Sequence, residues 1–155
     1  MRILIAVLLV AAAGCSSHQS AVSPQASNKV TVAVSDRPAC AALYANLQQV
    51  SAAIQSSSQL IANSLDKSQL SERIAVEESQ LRQSADLMQQ GPVPPGLEDA
   101  DRDLIAALRA FSADFAKARE PATRGDFRAA AEAMTDTAVV QRIVAASKTI
   151  EDACT

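Results

Sequence analysis

From residue 40 onward the apolar residues recur three and four positions apart, and this periodicity restricts the chain to helices. Cys40, Leu43, Leu47, Val50 and Ile54 follow at spacings of 3, 4, 3 and 4, which puts them on one face of a helix with 3.6 residues per turn. Ile61 and Leu65 continue the phase across Ser56, Ser57 and Ser58. A second row holds Leu70, Ile74, Leu81, Ala85 and Met88, with Glu77 as its one charge. A third holds Leu104, Leu108, Phe111 and Phe115. A fourth holds Phe127, Ala131 and Met134, then Val140, Ile143, Ser147, Ile150 and Cys154. The only strand-like alternation, Val30 to Val34, has no second strand to pair with.

The breaks between rows divide the chain into four helices. Asp36 is positioned to cap the first, with Pro38 in the first turn, where its missing N–H is harmless. Asp66 and Gln69 have the spacing of a capping box for the second. "GPVPPG" at 91–96 stops that helix, and "REPATRG" at 119–125 is expected to end the third near Ala118. "TDT" at 135–137 is expected to kink or split the fourth. Hydrophobic residues make up 48% of the chain and aromatics only 3%, without tryptophan. Alanine supplies much of the apolar content, and alanine favours helix while burying little area. The expected fold is therefore all-α, an antiparallel four-helix bundle with a thin core.

Formal net charge is −3, and the sequence pI is about 5.1. No basic stripe of the kind that binds phosphate backbones is present, so nucleic acid is excluded as a partner.

The N-terminus carries a different signal. Arg2 precedes an apolar run of 11 residues, Ile3 to Ala13. That length suits the hydrophobic region of a signal peptide and falls short of the ~20 residues a membrane-spanning helix needs. The run ends in "AAGC", after "LLVA". This stretch resembles the lipobox of bacterial secreted lipoproteins, with Ala12 where that family usually has leucine. The resemblance covers residues 1–15. It implies a diacylglycerol on the Cys15 thiol, cleavage between Gly14 and Cys15, and acylation (palmitate or a similar chain) of the new amino group. It also implies anchoring to a bacterial cell membrane, with the domain outside the cytoplasm. Each buried CH₂ of such an anchor contributes ~0.8 kcal/mol. The Ser-, Ala- and Gln-rich segment that follows reads as a flexible tether of 20 residues, 16–35, with a reach of about 25 Å. The expected organisation is signal peptide 1–14, lipidated cysteine and tether 15–35, and helical domain 36–155.

With Cys15 assigned to lipid, Cys40 and Cys154 remain, at the start of the first helix and the end of the last. An even number of antiparallel helices brings those ends together, and an exported domain is oxidised, so a Cys40–Cys154 disulfide is expected. Two buried free cysteines are the alternative.

Catalytic constellations are scarce. The sole histidine, His18, lies in the tether, where it cannot be held to the geometry of a triad, dyad or zinc site. Asp99, Asp101 and Asp103 imitate the opening of a calcium loop, but Leu104 and Ala110 stand where glycine and glutamate are required. They read instead as complements to a helix N-terminus. Arg124-Gly125-Asp126, a tripeptide that adhesion receptors recognise in other proteins, reads here as a turn followed by an N-cap. Glu77 reads first as a residue at the rim of its stripe, near Arg73, and second as a buried carboxylate with a raised pKa paired with an arginine from another helix. Leu104, Leu108, Phe111 and Phe115 read first as core and second as the lining of a pocket for an apolar ligand. No metal site, phosphate loop or dinucleotide fingerprint is present, and no cofactor is implied. The functional expectation is a non-enzymatic envelope lipoprotein whose bundle binds an envelope component or protein. The alternative is a carrier or sensor of a small apolar ligand.

Overall fold

The computed structural model describes residues 32–155. A 3₁₀ turn, Val34–Asp36, leads into α1 (Arg37–Ala62), followed by α2 (Lys67–Gln90), α3 (Glu98–Arg124), the short α4 (Phe127–Ala133) and α5 (Thr137–Cys154). The described residues contain no strand. The four long helices form a ring in which α1 packs on α2, α2 on α3, α3 on α5, and α5 back on α1. The α2–α3 seam is the most extensive and the α1–α5 seam the lightest, while α4 rests on α3. This is the expected antiparallel four-helix bundle, with its last helix split in two.

Each row of apolar residues supplies the centre. Leu43, Leu47, Ile74, Leu81, Met88, Leu104, Leu108 and Ile150 are fully buried, each contributing roughly 1.5–3 kcal/mol relative to exposure. Ala85, Ala107, Ala118, Ala122 and Ala130 fill the remaining positions, so the helices approach closely and the core is thin.

Polar side chains fix the helix ends. Asp66 accepts from the Gln69 N–H at 2.9 Å, and Gln69 Oε1 reaches back to the Leu65 N–H at 3.2 Å, which completes the capping box one residue early. Asp136 accepts from the N–H groups of Ala138 and Val139 and starts α5. Asp36 makes no side-chain cap. Its backbone N–H closes the 3₁₀ turn on the Ala33 carbonyl.

The third helix continues past the expected stop at Ala118 and carries Pro121 within it. Ala118 and Ala122 are completely buried, and their packing outweighs the one backbone bond the proline lacks. Gly125, at φ +81°, ends the helix. The Asp126 N–H bonds the Pro121 carbonyl and the Gly125 N–H bonds the Ala122 carbonyl, a Schellman stop that requires a left-handed residue.

Three stripe assignments shift. Leu65 is 87% exposed because α1 ends at Ala62 and leaves it in the turn. In α4 the buried residue is Ala130, and Phe127 points outward at 51% exposure. In α5, Val139 rather than Val140 faces inward, followed by Ile143, Ala146 and Ile150. In both short helices the cap sets the phase: Asp126 and Asp136 fix where the first turn begins, and the inward face follows from it.

Candidate functional site

Cys15 and His18 lie outside the described residues, so the structure does not bear on the anchor. Of the expected tether, 16–35, only residues 32–35 are described, already packed on the bundle or in the 3₁₀ turn. Val32 is half-buried and packs against the core, leading the chain into the bundle beside the start of α1. At that same end Cys40 and Cys154 are joined by a disulfide, with Cα atoms 5.4 Å apart. The bridge therefore closes the ring at its lightest seam, between the first turn of α1 and the last turn of α5.

The opposite end is formed by the α1–α2 turn. Leu60, Leu65 and Val76 are exposed there, and Ser57, Leu60, Gln69, Glu72, Arg73 and Val76 line a hollow of about 390 Å³. The Arg73 guanidinium donates to the Leu60 carbonyl and, at 3.3 Å, to Ser64 Oγ, occupying one of the carbonyls left free at the end of α1. A second hollow, of about 510 Å³, lies across α2 between Lys67, Glu72, Ala75, Arg119 and Thr123. Glu72 lines both hollows, so apolar Leu60, Val76 and Ala75 sit among polar side chains of both charges.

Four carboxylates are buried: Glu77, Glu78, Asp101 and Asp114. Glu78 pairs with Arg82 and, at 3.5 Å, with Arg119, which ties α2 to α3. Asp114 receives Lys117 at 2.7 Å, a contact that raises the lysine above its ordinary value. Asp101, in the first turn of α3, is raised because burial disfavours its charge, and its Oδ1 has no partner. Its neighbours Glu98 and Asp99 are engaged locally, Glu98 with the Gly96 N–H and Asp99 with Arg102. Among the described residues no group of three histidine, cysteine, aspartate or glutamate side chains could hold a metal ion.

Glu77 departs from its expected rim position. It is 2% exposed, in the middle of the α2 stripe, and its Oε2 has no hydrogen-bond partner. Burial raises its pKa, opposed in part by the Ser57 hydroxyl. Arg73, four residues earlier, is turned to the end of α1 instead.

The remaining candidates occupy structural positions. Leu104 and Leu108 are fully buried, Phe115 is nearly so, and Phe111 is half-buried against the core. The two rings meet edge to face with centroids 5.0 Å apart. Arg124 pairs with Glu120, Gly125 is the helix stop, and Asp126 caps α4 by accepting from the Ala129 N–H at 3.0 Å. Sequence reasoning passed over Glu78 and Asp114 as buried groups. Their signals were Arg82 four residues on and Lys117 three residues on. The hollow beside Leu60 had no signal, because it depends on where α1 ends.

The fold and its bridge define a class, an all-α bundle with the start of its first helix joined to the end of its last. No family model, curated protein or solved structure matches the chain.

Proposed function

We propose that the chain is a membrane-anchored lipoprotein of the bacterial cell envelope whose helical bundle is a non-enzymatic binding module. The observation that carries this reading is the difference between the two ends of the bundle. One end receives the chain at Val32 and is closed by the Cys40–Cys154 bridge, a bond suited to an oxidising compartment. The other presents exposed Leu60 and Val76 in a hollow and exposed Leu65 in the adjoining turn, the kind of apolar surface with a polar rim that partners cover. The lipobox-like "AAGC" supports an anchor at Cys15. An anchor there, with the chain entering the bundle beside the first helix, leaves the α1–α2 end free to meet a partner, an envelope protein or component.

Intact mass of the protein extracted from the membrane fraction tests this. The expected species begins at Cys15, carries diacylglyceryl mass and gains two alkyl groups only after reduction. A lipid-free species with an alkylatable Cys15 overturns the anchor. Replacing Leu60 and Val76 by aspartate should abolish crosslinks to envelope proteins while leaving the helical signal unchanged. Unaltered crosslinks would overturn the binding surface.

A further inference from the structure

Three features of α1 converge on Glu77. After Arg37 the helix contains no charged residue. Beyond Val50 its only buried residue is Ser57, with Ile54 and Ile61 partly buried against the core. Ser51 and Ser58 turn their hydroxyls back to the Leu47 and Ile54 carbonyls, at 2.9 and 2.8 Å, an arrangement that slightly weakens and bends helices. The C-terminal half of α1 is thus held to α2 by few apolar contacts and by a short row of polar ones.

That row has one defect. The Ser57 hydroxyl donates to Gln80 Oε1 at 2.6 Å and also lies beside the Glu77 carboxyl. One hydroxyl proton serves one acceptor at full strength. With Glu77 ionised, the carboxylate competes with Gln80 for that proton, and its Oε2 is buried without a partner. With Glu77 protonated, the carboxyl oxygen beside Ser57 can donate to Ser57 Oγ while Ser57 donates to Gln80, and Oε2 is left as a neutral carbonyl oxygen, far cheaper to bury than a charged one.

We propose that Glu77 is an acid clamp: its proton holds residues 51–62 of α1 against α2, and loss of the proton releases them. Release withdraws Ile54 and Ile61 and uncovers the α2 wall at Leu70 and Ile74. No neighbouring charge replaces the proton. Within α2, Arg73 is committed to the Leu60 carbonyl and Glu78 to Arg82 and Arg119. The surrounding α1 surface offers only the neutral Ser57. On α3, Asp114 is engaged by Lys117 and the flanking Leu108, Phe111 and Phe115 carry no charge. On α5, Asp136 is committed to its cap and Val139 and Ile143 are apolar.

The sign follows from the direction of the pKa. A carboxyl whose folded value is raised stabilises the closed form fully below the ordinary 4.5, and that contribution is lost as pH rises through the folded value. An exported domain meets the pH of its surroundings, so on the envelope reading above the clamp reports external acidity. The clamp itself is a property of the purified protein and is tested without reference to the anchor.

Hydrogen exchange of the full chain in detergent, read on peptides covering residues 51–62 and corrected for intrinsic exchange, tests the proposal. Protection should fall by up to about tenfold per pH unit between 4.5 and the folded value, the slope for one proton, and be flat above it. Peptides from α3 should not share the change. Glu77→Gln should be protected at every pH without the slope. Wild-type protection independent of pH, the same slope in Glu77→Gln, or equal loss in α3 would overturn the clamp. Should the variant not fold, carboxyl ¹³C titration of Glu77 in the wild type decides. An ordinary midpoint would overturn the proposal, and a raised midpoint coincident with the change in α1 exchange would sustain it.

Discussion

Cutting the Cys40–Cys154 bridge should have the largest effect on stability of any change at the ends of the helices. The two cysteines are 114 residues apart in sequence. In the chain-entropy relation, closing a loop of that length in the unfolded state removes about 16 cal/mol/K, or about 5 kcal/mol at 25 °C. The native state adds little to offset it, because the bridge spans the seam where α1 and α5 pack most lightly, so few contacts hold these ends once the bond is gone. Since a domain of this size shifts by about 4 °C per kcal/mol, the Tm of the Cys40→Ala, Cys154→Ala double variant should fall by about 20 °C. Thermal unfolding followed by circular dichroism, with and without reductant, measures it, and reductant should move the wild type to the variant's value. A fall under about 5 °C would refute the reasoning. It would mean that the unfolded chain is already compact enough to keep these ends close, or that packing alone closes the ring.

Gly125→Ala should cost about 1 kcal/mol, since the left-handed φ of +81° opposes a Cβ whose nearest neighbour, Lys67 Cδ at 3.7 Å, leaves it room; urea midpoints check this, and an unchanged midpoint would show that the helix stop tolerates another geometry. Asp136→Ala removes the acceptor of two N–H groups at the start of α5 and should cost about 1 kcal/mol, with exchange rising first in residues 137–141. Pro121→Ala restores a donor to the Lys117 carbonyl inside α3 and should stabilise by about 1–2 kcal/mol, after the gain in unfolded-state freedom is set against the helix preference; destabilisation would mean that the proline ring is itself packed.

The helices were legible because their rows of apolar residues are long and in phase over two or more turns. Cys40 through Ile54, Leu70 through Met88 and Leu104 through Phe115 all face the core. Where the sequence misled, a local device competed with a general rule. "REPATRG" contains the two strongest helix breakers, yet only Gly125 acts as one. The proline sits where Ala118 and Ala122 on either side of it are buried against the bundle, and burial of two alanines at close helix approach cannot be seen in a one-dimensional pattern. The one-residue phase shift in α5 has a similar origin. Val139 and Val140 are equivalent by composition, and only the turn set by Asp136 chooses between them.

The polar interior was the least legible part, for a reason specific to thin cores. A row of large aliphatic side chains would leave a glutamate no room at its centre and would turn it to the rim. Here the helix facing Glu77 contributes Ser57, with Ala53 and Ile54 one turn before it, so a carboxyl can enter the interior where a serine leaves space for it. The same reasoning accounts for the buried Ser112 and Asp114: Ser112 donates to the Glu78 carbonyl across the α2–α3 seam, and Asp114 takes Lys117 on one oxygen and keeps the other without a partner. Glu77, like Asp101 and Asp114, keeps a buried oxygen without a partner, and it does so against a helix that carries no charge beyond Arg37. A carboxyl so placed is favoured in its neutral form, and at the α1–α2 seam its proton decides whether Ser57 is shared with a carboxylate or left to Gln80.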